Sequence, residues 1–102
     1  MVRLLSTNPA KVFGLWGTKG DIAPGFDADI VIFDPNAERV LSASELHSRA
    51  GYSPYEGLTV KGKVKMTICR GEIVYRDGEV VGKPGYGRFQ RCRPFDRTID
   101  LS

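Results

Sequence analysis

The sequence predicts a mainly β chain, with a short helix at its start and an extended arm at its end. Three observations carry that prediction. Residues 61–69, "KGKVKMTIC", alternate apolar and polar side chains at the period of a half-buried strand, and two hairpin signals, Arg70-Gly71 and Asp77-Gly78, follow directly. "IVIF" at residues 30–33 is a continuous apolar run between turn residues, as in a strand covered on both faces. The last twenty residues hold Gly85, Gly87, Pro84 and Pro94 but few core-forming side chains.

In chain order, the first element is the helix. Asn8 suits an N-cap and Pro9 the first helical position, where a missing N–H costs nothing. Val12, Phe13 and Leu15 follow, and Gly14 and Gly17 stop the helix after about two turns. So short a helix has to dock on something to persist. "GDIAPGFDAD" is turn chemistry, with Pro24 fixing φ, Gly25 free to take positive φ, and Asp27 able to bond its own backbone. The strand at residues 30–33 is closed by Asp34-Pro35, and a second short strand is expected at residues 39–42. Ser44 with Glu45 suits a helical turn, and "AGYSPYEG" is a loop whose Tyr52, Tyr55 and Glu56 resemble a docking surface. In the following strand Val64, Met66 and Ile68 face one way and Lys63, Lys65, Thr67 and Cys69 the other. Residues 73–75 return, and Val80 and Val81 close a meander.

Composition limits the functions open to this chain. Its 102 residues, 41% hydrophobic and 26% charged, suit one small domain with a modest core. No run approaches the roughly 18 apolar residues of a membrane span, and "MVRLLSTNPAK" lacks the apolar core and cleavage site of a signal peptide, so a cytoplasmic protein is expected. Cys69 and Cys92 stand far apart, as reduced thiols do, rather than in a disulfide framework or a zinc knuckle. The net charge of +3 resides in the tail: residues 1–82 balance ten basic against ten acidic groups, whereas Lys83, Arg88, Arg91, Arg93 and Arg97 face only Asp96 and Asp100. With Tyr86 and Phe89, those arginines offer one reading as a nucleic-acid binder. The charge balance elsewhere favours an arm that meets its own parent or a neighbouring subunit.

Candidate chemistry is sparse. Asp27 and Asp29 lie two apart at a strand entrance and point to the same side, but no histidine cluster accompanies them, so they are read as turn and edge residues. His47, the single histidine, is given a hydrogen-bonded structural role. Gly82, Gly85 and Gly87 lack the strand-to-helix context of a phosphate loop, and no Ser, Cys or Thr sits in a nucleophile elbow. No catalytic, cofactor-binding or metal-binding residue is assigned.

"STNPAKVFGL", "KGDIAPGFDADIVIFDP", "SELHS…YSPYEG" and "VKGKVKMTICRGEIVYRDGEVVGKPGYGRF", in that order, resemble the C-terminal end of the cyclic amidohydrolases across residues 4–94. The dihydropyrimidinase and hydantoinase branch is most similar, with allantoinase and dihydroorotase as relatives; the "GxDADIVIFDP" stretch is shared widely in the amidohydrolase superfamily. The resemblance implies a parent that hydrolyses ring amides with a hydroxide held between two zinc-type ions. The ligands in such enzymes are an HxH pair, a carboxylated lysine, two further histidines and an aspartate on a (β/α)8 barrel. A barrel of that kind needs about 250 residues, so none of those ligands carries over to this chain, which is expected to be an inactive piece of the whole. Zinc is expected in the full-length enzyme and no cofactor in this chain.

By the same resemblance the fold is a partial β-sandwich, whose remaining strands come from the parent's N-terminus. Residues 1–17 would form a barrel-docking helix, residues 18–82 the sandwich portion with a loop at 43–60, and residues 83–102 a basic arm. The partners implied are the missing barrel and N-terminal strands, and self-association is expected because sheet edges and apolar faces are left open. No membrane partner is expected. An autonomous β module that binds a partner protein is the alternative reading, with the nucleic-acid binder behind it.

Overall fold

A computed structural model describes residues 1–101 of the chain. Helical backbone begins earlier than the Asn8-Pro9 pair predicts. Arg3–Thr7 form a π-helical turn that runs directly into the helix α1, Asn8–Val12. Asn8 is therefore not an N-cap. It has helical angles, φ −68° and ψ −42°, and its N–H donates to the carbonyl of Arg3, five residues back. Proline explains the wide turn: Pro9 has no N–H to donate and its ring crowds the carbonyl one turn earlier, and a π turn relieves that conflict inside a continuing helix. The helix ends where glycine lets it. Gly14 has φ +73°, and the N–H of Leu15 donates to the carbonyl of Ala10 at 2.8 Å, which closes a Schellman-type C-terminus.

The sheet is an antiparallel meander in the order β1-β2-β3-β4, formed by Ile30–Val40, Thr59–Cys69, Glu72–Arg76 and Glu79–Val80. Both hairpin signals act as expected: Arg70 and Gly71 have φ +44° and +82°, and Asp77 and Gly78 +51° and +88°. Two consecutive positive φ values are what a type I′ hairpin turn requires.

The two short strands expected at residues 30–33 and 39–42 are one strand. Asp34-Pro35 does not end it but bulges it: the pairing shifts between Asp34, opposite Lys63, and Glu38, opposite Lys61. Asp34 accepts hydrogen bonds from the N–H groups of Asn36 and Ala37 at 2.9 and 3.3 Å, so the extra residues keep their backbone satisfied. Gly62 faces this bulge at φ +104°, and a Cβ there would lie 2.6 Å from the ring of Phe33. A second shift, between Ile32 and Phe33, skips Lys65 on β2. These bulges spoil the expected alternation on β2: Val64 is exposed, and Lys63 and Cys69 are half-buried.

The "IVIF" run is not covered on both faces. Val31, Ile32 and Phe33 are 59, 45 and 47% exposed, on a strand at the edge of the sheet. The physical reason is that no described element is layered on β1, which pairs through one edge with β2. Ala10, at 6% exposure, is the one buried hydrophobic residue among those described. It sits where helix and turn meet, with Trp16 packed edge-on to Phe26 at 5.0 Å nearby.

Candidate functional site

Asp27 and Asp29 do share a side, as their spacing predicts, and what they share is Lys19. Its ammonium lies 2.8 Å from Asp27 Oδ2 and also donates to Asp29 Oδ2. The turn that brings them together is tied by Asp27 N–H to the carbonyl of Thr18, 2.8 Å, and by Asp29 N–H to the carbonyl of Asp27, 2.8 Å. The second oxygen of Asp29 accepts the backbone N–H of Arg70 at 2.9 Å, across forty-one positions of sequence, and Gly71 N–H reaches the carbonyl of Ala28. The knot thus fastens the entrance of β1 to the β2–β3 hairpin.

Electrostatics follow from this geometry. Partial burial alone would push the Asp29 carboxyl up, but the hydrogen bonds from Lys19 and from the N–H of Arg70 outweigh it and hold the group below the ordinary carboxylate value. For Lys19, partial burial alone would favour the neutral amine, and the hydrogen bonds to Asp27 and Asp29 overcome it, raising the group above its ordinary value. Both groups are charged at neutral pH. A carboxylate pair already closed on an ammonium is poorly suited to bind a metal or to move a proton.

The remaining candidates are dispersed. His47 is exposed, and among the described residues it makes no hydrogen bond, so the structural bond expected for it is absent there. Cys69 is half-buried and Cys92 exposed, both as free thiols. Tyr52 and Tyr55 are exposed, and so is Glu56, which accepts the N–H of Ala43 at 2.6 Å at the start of the 3-10 turn Ala43–Glu45. Of the arm arginines, Arg88 and Arg91 are exposed, and Arg93 donates its guanidinium to the carbonyl of Trp16. Tyr86 is engaged with Arg70, and Phe89 is exposed. Sequence reasoning missed Lys19 and Arg70. Arg70 was read only as a hairpin residue and Lys19 only as part of the family stretch, and only the path of the chain brings them to Asp29.

Among the described residues no group of three or more His, Cys, Asp and Glu side chains is placed to hold a metal ion. With the carboxylate pair committed to Lys19 and one histidine distant in sequence, the residues present do not fit a binuclear zinc centre. No helix of the described residues is long and apolar enough to cross a membrane.

Residues 1–74 match the pattern of the Amidohydrolase family. The D-hydantoinase of Geobacillus stearothermophilus is 53% identical over 88 residues, covering 86% of this chain and 19% of that protein. The D-phenylhydantoinase of Escherichia coli O127:H6 is 48% identical over 94 residues, 92% of this chain and 20% of its own length. Among solved structures, one of D-hydantoinase superposes with a TM-score of 0.85 at 45% identity over 94% of this chain and 21% of the other. The dihydropyrimidinase of Brevibacillus agri NCHU1002 gives 0.83 at 43% identity over 90% of this chain and 20% of the other. The chain spans about one fifth of the length of these relatives. It belongs to the amidohydrolase family, in a segment that D-hydantoinases share with it.

Proposed function

We propose that this chain is the non-catalytic C-terminal part of a metal-dependent hydrolase of cyclic amides, of the dihydropyrimidinase or hydantoinase type, and that its role is to brace the barrel and join subunits. The observation that carries this reading is the amount of surface left open. A compact monomer of 11.3 kDa has about 5,700 Å² of accessible surface, against 8130 Å² here. Its radius of gyration would be about 13 Å, against 16.4 Å. The excess, about 2,400 Å², is of the size that permanent interfaces bury.

Much of the open surface is apolar. Leu4, Leu5 and Phe13 project from the helical segment and Val31, Ile32 and Phe33 from β1. In this reading residues 1–17 dock on the barrel, strands from the N-terminus of the whole polypeptide complete a sandwich over β1, and zinc belongs to the barrel. The whole protein is cytoplasmic, and the isolated chain associates with itself because its faces have no other cover.

The test is a chimera. The matching segment of the Geobacillus stearothermophilus D-hydantoinase is replaced by this chain, and hydantoin ring opening is measured with zinc supplied. Activity is expected in the chimera and none in the 102-residue chain by itself. Zinc-dependent ring opening by the chain alone, or a folded chimera that has lost activity while keeping its metal, would overturn the reading.

A further inference from the structure

The helical segment and the sheet stand apart at the level of the backbone. No described helical residue has a strand residue as a close backbone neighbour, and the two face each other across a cavity of about 450 Å³ bordered by Val2, Ser6, Ile22, Ile30 and Val31. The turn that follows the helix holds part of it, with Ala10 buried beside Gly20 and Trp16. The Lys19 knot holds the base of the turn, and Thr7 Oγ1 donates to the carbonyl of Gly20 at 3.0 Å, but neither secures the far end of α1.

The C-terminal arm does. It leaves the sheet and is fixed first at the hairpin tip, where Arg70 donates to the carbonyl of Tyr86 at 2.6 Å and the Tyr86 hydroxyl returns a bond to the carbonyl of Arg70 at 3.2 Å. The Arg70 guanidinium also stacks 4.3 Å from the centre of the Tyr86 ring. Residues 87–92 then cross without regular secondary structure and are mostly exposed.

The second anchorage is on α1. Arg93 N–H donates to the carbonyl of Gly14 at 3.0 Å, and its guanidinium donates to the carbonyl of Trp16. Lys11, whose ammonium lies 4.7 Å from the Trp16 ring centre, donates to the carbonyl of Asp100 at 2.7 Å, and Asn8 Nδ2 to that of Leu101 at 3.0 Å. Gly14 is shaped for this contact: a Cβ there would fall 1.8 Å from the carbonyl oxygen of Arg93. A helix end that admits a passing strand of backbone only because it lacks a side chain is built to be crossed.

We propose that the C-terminal arm is a strap, anchored at Arg70 and again on α1, and that engagement of residues 93–101 decides whether the N-terminal helix is held in place or released. The bonds at the second anchorage are hydrogen bonds of partly exposed groups, each weak alone, so the strap opens locally without unfolding the sheet. Any partner that takes the carbonyls or side chains of residues 93–101 frees the helix. The inference does not depend on the catalytic reading of the whole protein.

The experiment is amide hydrogen exchange on the 102-residue chain, with a version ending at Gln90 and the variant Arg93→Ala beside it. The reporters are the N–H groups of Phe13, Leu15 and Trp16, which donate to Pro9 and Ala10. Truncation is expected to speed their exchange at least ~tenfold while the amides of β2 and β3 keep their rates. Arg93→Ala, which removes the Trp16 contact but keeps its own N–H, should act in the same direction by ~threefold. Unchanged rates at Leu15 and Trp16 in both variants, or equal acceleration in helix and sheet, would overturn the strap.

Discussion

Lys19 carries the clearest energetic role of any single residue, because two carboxylates converge on its ammonium and one of them also receives the N–H of Arg70. Replacing it, Lys19→Met, leaves Asp27 and Asp29 facing each other without a cation. The cost is about 1 kcal/mol after allowing for solvent at a half-exposed site. The pH dependence follows from the two displaced groups. Asp29 titrates below its unfolded value, so its contribution is complete above about pH 4 and is lost as pH falls through the folded value. Lys19 titrates above its unfolded value, so its contribution is complete below about pH 10 and is lost as pH rises through the folded value. Urea midpoints measured from pH 3 to pH 11 should therefore show a plateau that declines at both ends. Asp29→Asn should flatten the acid decline, and Lys19→Met should weaken both. Identical profiles for the three proteins would show that the knot contributes nothing to folding.

At the level of the element, β1 is held in register by its bulge. The Asp34 carboxylate satisfies the N–H groups of Asn36 and Ala37 where the ladder to β2 is interrupted. Asp34→Ala removes that acceptor and is expected to cost about 1 kcal/mol. Exchange of the Asn36 and Ala37 amides should rise, while that of Thr67 and Ile68, on the part of β2 paired beyond the bulge, stays unchanged. A uniform rise would show that the carboxylate stabilises the whole sheet rather than the bulge. The hairpins behave differently, since Arg70-Gly71 and Asp77-Gly78 adopt left-handed angles that two adjacent residues dictate. That is why both were legible in the sequence, whereas the single strand across Asp34-Pro35 was not. Asp-Pro ends a strand or bulges one, and only pairing of Glu38, Arg39 and Val40 with β2 decides which.

For the whole molecule, open apolar surface is the dominant quantity. Its elongated extents, 46 × 31 × 27 Å, and the exposure of Val31, Ile32 and Phe33 leave a sheet edge and a face available to another chain. Static light scattering at high concentration is expected to give masses in multiples of 11.3 kDa that fall on dilution. Ile32→Thr with Phe33→Ser should shift the population toward monomer. A wild-type chain that stays strictly monomeric would remove this surface as a basis for association.

The sequence by itself determined what neighbouring residues control: the two hairpin turns, the end of the helix at Gly14, the gathering of net charge in the last twenty residues and the order of segments that marks the family. Such features rest on backbone angles and on composition, and both are local. The tertiary structure decided what depends on the route of the chain. It placed Lys19 between Asp27 and Asp29, extended the helix upstream of Pro9 through a π turn, and brought Arg93 back across Gly14. It also left the "IVIF" strand uncovered among the described residues, although its composition reads as buried. An apolar run records that a cover is needed, but which atoms supply it is set by packing between residues far apart in sequence, and no local preference encodes that.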